Sequence, residues 1–171
     1  DFVRVATSLR KENGDRAIGT KLDTASPAFA PALKSETYRG LALLFGKRYI
    51  TQYQPVKNNN GNTIAILFVG VDITHSWEIM RSKILGRQLG DSGRFYVLDR
   101  NNGKNYGNYL FHPSEEGKRP QWDERDLNTV LQQTTGTLEQ QRPDGHRQML
   151  SWITVPGWNW TVVGEVDKAA L

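Results

Sequence analysis

The 171-residue sequence contains no cysteine. That excludes a disulfide framework, a thiol nucleophile and any cysteine-bound metal. It suits an oxidising or a reducing compartment equally. No apolar run approaches the roughly 18 residues of a membrane span, and no signal peptide is visible. Histidine is scarce, with His75, His112 and His146 the three present. None belongs to an HExxH or His-x-His pair, so zinc chemistry has no ligand set. The nucleophile elbow G-x-S-x-G, the dinucleotide fingerprint G-x-G-x-x-G and a phosphate loop are missing too. Carboxylates are plentiful without forming a readable pair. No enzyme, no metal and no cofactor is expected. Lys and Arg never run beyond two in succession, so the chain lacks the basic footprint of a nucleic-acid binder.

What is there is an ordinary globular composition, 37% hydrophobic and 23% charged, with a formal net charge of +4 and a pI near 9.4. The length suits one domain or two small ones. The mild basic excess favours an anionic ligand or surface, although most of these charges do no more than solvate the exterior.

The chain is organised around Tyr49–Asp72, which reads as a β-hairpin. Tyr49, Thr51 and Tyr53 alternate with Ile50, Gln52 and Gln54, so the two sets face opposite sides. Pro55 is expected to end or interrupt the ladder, having no N–H to donate. Lys57–Gly61 is turn chemistry. Ile64–Val71 is a nearly continuous apolar run, the pattern of a strand at a sheet centre. Before the hairpin, Phe2–Leu9 and Ala17–Leu22 read as strands. Ser26-Pro27 opens a short helix to about Lys34, and Tyr38–Phe45 is a third extended run.

After the hairpin, Ile73–Leu89 reads as a helix with Thr74 as its cap. Ile73, Trp77, Met80 and Ile84 form its apolar stripe. The element order then repeats without a repeat of sequence. Arg94–Asp99 and Tyr109–His112 are strands. Asp126–Thr134 is a helix with Asp126 as cap and Leu127, Val130 and Leu131 on one side. Thr137–Gln141 and a closing hairpin, His146–Thr154 and Trp158–Glu165, are strands again. The expected fold is α+β: PAS-like antiparallel sheets with flanking helices, in two lobes. Residues 1–72 form the first lobe, 73–92 a connector helix and 93–171 the second lobe.

The segments FVRVATSL, AIGTKLD, YRGLALLFGKRYITQYQPV and GNTIAILFVGVD resemble the Cache domains of bacterial chemoreceptors. The resemblance is to the double form, in which a Cache_3 lobe is followed by a Cache_2 lobe. Gly93–Asp99, Leu110–Pro113 and Trp158–Gly164 extend it through the second half. It implies the extracytoplasmic, periplasmic sensor region of a membrane-anchored methyl-accepting chemotaxis protein. Such a region binds a small solute and passes a conformational signal across the membrane, and it works as a homodimer in the full receptor. It also implies that a long N-terminal helix, usually placed before the first strand, is missing here.

Two clusters could hold a ligand. In the first lobe, Tyr49, Thr51 and Tyr53 share a strand face and could line a cavity with hydroxyls and ring faces. Arg4, in a strand with Thr7, could clamp a carboxylate, and Tyr38 opens the neighbouring strand. In the second lobe, Tyr96 and Trp152 could cap a small ligand while His112 or Arg147 meets its anionic end. The plainer alternative is that the tyrosines pack the core, the arginines face water and the His112-Pro113 pair holds a turn. The expected ligand is an organic acid or an amino acid. Indirect sensing through a solute-binding partner protein is the alternative.

Overall fold

The computed structural model describes residues 1–170. The chain divides into two compact units, Asp1–Trp77 and the residues from Glu78 onward, with the division inside a helix.

The first unit is built on a three-stranded antiparallel sheet, β1 (Tyr38–Leu44), β2 (Lys47–Lys57) and β3 (Thr63–Asp72), in that spatial order. The hairpin of β2 and β3 pairs Tyr49 with Asp72 and Tyr53 with Phe68. Its turn closes at Gly61, whose φ of 82° glycine adopts without steric cost. Asn58 Oδ1 accepts the backbone N–H groups of Asn60 and Asn62. Pro55 does not end the ladder. It pairs with Ile66, and β2 runs on to a bulge at Val56/Lys57. Proline is tolerated there because β1 stops opposite Tyr53, leaving β2 with one neighbour.

Two further expectations fail in this unit. Ile64–Val71 lies at an edge of the sheet, and one face of it is open: Leu67, Val69 and Val71 are all more than 60% exposed. The second failure concerns Phe2–Leu9 and Ala17–Leu22, which form no strands. They face each other through single bridges, Val3 to Lys21 and Arg10 to Arg16. Alternation misleads here because Val3 and Val5, its apolar set, point to solvent while Leu9, Ala17 and Leu22 are buried. A short helix α1 (Phe29–Leu33) follows, shorter than expected. Leu22, Ala28 and Ala32 pack with Phe2, Phe29, Tyr38, Tyr53 and Phe68 against the inner face of the sheet.

Helix α2 (Thr74–Leu85) follows β3 and ends before Gly86. Its first N–H is capped by Asp72, whose Oδ1 accepts from Thr74 N at 3.0 Å. Thr74 does not serve as the cap, because its hydroxyl accepts from Arg48 N. That bond from Thr74 N, with Lys47 nearby, holds the Asp72 carboxyl below its ordinary pKa.

The second unit carries a six-stranded antiparallel sheet. Its strands are β4 (Gln88–Leu89), β5 (Gly93–Asp99), β6 (Tyr109–Phe111), β7 (Thr135–Gln141), β8 (Arg147–Val155) and β9 (Trp160–Asp167). The order is β4-β5-β9-β8-β7, with β6 beside β5. Helix α3 (Glu124–Gln132) lays Leu127, Val130 and Leu131 on one face of the sheet, against Tyr96, Leu98, Leu150, Trp152 and Val163. Each of those three side chains contributes about 1.5–3 kcal/mol by leaving water. The cap is Asp123, accepting from Arg125 N at 2.9 Å, three residues before the expected Asp126. The helix starts earlier because Glu124 and Asp126 both fall in its first turn, where acidic groups suit the helix dipole. Gly136 is needed opposite Trp152, since a Cβ would press into the indole ring.

Candidate functional site

Beside the N-terminal end of α3, the covered face of the second sheet opens into a cleft of about 300 Å³. Four pieces of chain build it. Strands β5 and β9 place Arg94 opposite Glu165 in register, with Tyr96 two residues further along the same face. The β7–β8 turn, Pro143-Asp144-Gly145, brings Arg142 to the rim. Arg142 N donates to His146 O, and Gly145 N donates to Arg142 O, closing that turn. The end of β6 supplies His112, and the loop after it supplies Glu115, Arg119 and Trp122.

Glu165 is the floor of the cleft and is only 4% exposed. Arg94 donates to its Oε1 through Nε at 3.1 Å and Nη2 at 2.8 Å. Arg142 Nη2 donates to the same oxygen. The Tyr96 hydroxyl donates to Oε2 at 3.1 Å. Burial, then the Glu165 charge, push the Tyr96 phenol well above its ordinary pKa, so it stays a donor. A buried carboxylate is sustained only when its lone pairs are met in this way. Arg142 also anchors an amide relay. Its Nε donates to Gln148 Oε1, Gln148 Nε2 donates to Gln140 Oε1 at 2.7 Å, and Gln140 Nε2 reaches Asp126 Oδ2 at 3.4 Å.

His112 is 3% exposed. Its Nδ1 accepts two backbone N–H groups, from Ser114 at 3.2 Å and Glu115 at 2.9 Å. An Nδ1 that accepts carries no proton, so the neutral ring holds it on Nε2. Burial, and next the Arg94 charge, lower its pKa and keep it neutral. The ring stacks on Tyr109, with centroids 4.3 Å apart. The Tyr109 hydroxyl is itself pushed up to about 12, mainly by burial.

Of the residues singled out in the second half, His112 lines this cleft and Tyr96 lies directly beneath it. Trp152 is packed in the core under α3, and its indole N–H reaches Gln133 O at 3.3 Å. Arg147 lies on the opposite face, paired with Glu139.

In the first unit, Tyr49, Thr51 and Tyr53 do share the inner face of β2. The Thr51 hydroxyl bonds to Gly40 O, and Tyr53 packs between Tyr38 and Phe68. The Tyr53 hydroxyl is buried without a hydrogen-bond partner among the described residues. Burial raises its pKa, and the charge of Arg4 works against that rise. Arg4 donates to Thr20 Oγ1 at 2.9 Å and lies over the Phe45 ring. Thr7 Oγ1 accepts from Leu9 N. A smaller depression of about 230 Å³ lies on the outer face, over Ile50, Gln52, Val69 and Val71.

Arg94, Arg142 and Glu165 were not singled out from the sequence. One signal was present: Glu165 interrupts the apolar strand WTVVGEV, and an isolated acid in a buried strand needs a partner. Its partners come from residues 23 and 71 positions away, which no local pattern links.

Several solved domains share this fold. The extracellular domain of mmHK1S-Z2, described as a histidine kinase, superposes with a TM-score of 0.63 at 17% identity, over 94% of this chain and 62% of that one. The periplasmic sensory domain of the Campylobacter jejuni chemoreceptor Tlp1 gives 0.58 at 13% identity, over 91% and 60%. The ligand-binding domain of Mlp24 with asparagine gives 0.55 at 18% identity, over 82% and 54%. The present chain thus spans less than two thirds of each of these domains. No curated protein matches the sequence significantly. The family model of the Cache 3/Cache 2 fusion domain matches residues 1–171.

Proposed function

The chain belongs to the Cache 3/Cache 2 fusion family of extracytoplasmic sensor domains, and from that premise we propose that it recognises a small organic acid or amino acid in the cleft of its second unit. The observation that carries this reading is the buried Glu165 carboxylate held between Arg94 and Arg142 at the floor of an open cavity. Two guanidinium groups share one carboxylate, so the set is left one positive charge in excess. In a cavity with low-dielectric walls that excess attracts an anion more strongly than the same charge in water. The Arg94 and Arg142 side chains remain 45% and 35% exposed, so part of each fork is free to meet a ligand.

In the parent receptor, anchored in the membrane and working as a homodimer, ligand binding would favour one of two packings. The signal can be no larger than the ligand's differential affinity for them. Indirect sensing is the second reading. The exposed apolar face of the first sheet, with Leu43, Leu67, Val69 and Val71, supports it as a place for a partner protein to dock.

A thermal shift screen against carboxylates, amino acids, polyamines and nucleobases tests the direct reading. A ligand at 100 times its Kd stabilises the folded state by about 2.7 kcal/mol, which raises the melting temperature by several degrees. A flat response across all four classes would shift the weight to the partner protein.

A further inference from the structure

Resting on the reading of the second-unit cleft as a ligand site, we propose that it selects a monocarboxylate and rejects the corresponding α-amino acid. The lining holds three arginines, Arg94, Arg119 and Arg142, and two carboxylates, Glu115 and Glu165; Arg119 is paired with Glu124 outside the cleft, which leaves Arg94 and Arg142 sharing Glu165. The carboxylate at the floor, Glu165, is closed to an ammonium group. Glu165 already receives Arg94, Arg142 and the Tyr96 hydroxyl, and it is almost wholly buried. Glu115, at the rim and 42% exposed, is already paired with Lys118 at 3.4 Å and lies apart from the Arg94–Glu165–Arg142 set. An ammonium group entering beside Arg94 and Arg142 would meet like charge and no unpaired acid, which is repulsive and costs its hydration as well.

Donors, in contrast, are in surplus. His112 is fixed as the Nε2–H tautomer because Nδ1 is occupied by two backbone N–H groups. Its Nε2 has no acceptor among the described residues, and the ring lines the cleft. A single carboxylate can therefore take a guanidinium fork with one oxygen pair and the imidazole N–H with a remaining lone pair. The cleft's volume of about 300 Å³ sits at the small end of ligand sites, suiting an acid of few carbons.

The test is a calorimetric titration of the intact chain with near-isosteric pairs: lactate against alanine, and isobutyrate against valine. The expected result is binding of the hydroxy or alkyl acids with the amino acid of each pair at least tenfold weaker. Equal or tighter binding of alanine and valine overturns the selectivity and leaves the cleft as a site. Binding of neither class overturns the site and the selectivity together. His112→Asn supplies a second arm, since an amide oxygen can replace Nδ1 in the turn while nothing replaces Nε2–H. The expected result is a variant that still folds cooperatively, with acid affinity reduced about tenfold. Unchanged affinity in a folded variant overturns the donor role of His112.

Discussion

Four N–H and O–H donations converge on Glu165, and the residue-scale consequences follow from its burial. Glu165→Gln removes the charge that two guanidinium groups share. Breaking a fully buried pair costs about 3–5 kcal/mol. Water still reaches both arginines, which brings the expected loss to about 2 kcal/mol, readable as a lower urea midpoint. His112 supplies a pH dependence. Its folded pKa lies below the ordinary value of 6.5, so the unfolded chain binds the proton more readily. Stability is therefore full above that ordinary value and falls as pH drops through it. Protonation at Nδ1 would also set a third N–H against those of Ser114 and Glu115. Urea midpoints at about pH 7.5 and about pH 5 should show the decline in the native chain and a flatter profile in His112→Asn. At this scale the sequence offered His112, and the His-Pro turn reading was correct in kind. It could not offer Arg94 with Glu165, because cross-strand register between β5 and β9 is a long-range fact.

At the scale of elements, strand polarity and burial decide what a substitution costs. Gly136→Ala drives a methyl group into the Trp152 ring from the neighbouring strand. Overpacking of this kind costs about 1–3 kcal/mol and should lower the midpoint without changing the denaturant slope. Val69→Thr on the open face of β3 should cost less than about 0.5 kcal/mol, because that side chain is 63% exposed. The same change at Val163, fully buried under α3, puts an unpaired hydroxyl in the core and should cost about 1–3 kcal/mol. The contrast separates what the pattern could and could not reveal. The hairpin of β2 and β3 was legible from alternation and Asn-Gly turn chemistry. A continuous apolar run marks a strand but not its place in the sheet, so the pattern of β3 points to a central strand while β3 lies at an edge. The two N-terminal segments had strand-like alternation and too little burial to form a ladder.

On the scale of the whole molecule, each unit carries its own sheet and its own core, and the cleft is built entirely from residues of the second. On the inner face of the first sheet, Tyr38 and Tyr53 pack with Phe68, Leu22, Ala28 and Ala32. The repeat of element order made two lobes legible, whereas which lobe keeps an open cavity depends on side-chain packing that no motif encodes. The most direct measurement is a titration of the intact chain, with the best acid from the thermal screen, in Arg142→Ala, Arg94→Ala and Arg4→Ala. Loss of one charge-assisted contact to a ligand costs about 1.5–3 kcal/mol, or roughly ten- to a hundredfold in affinity. The account predicts that loss for Arg142→Ala and Arg94→Ala, with Arg4→Ala binding as the native chain does. Loss of binding in Arg4→Ala with full binding in the other two would contradict it and place the site in the first unit.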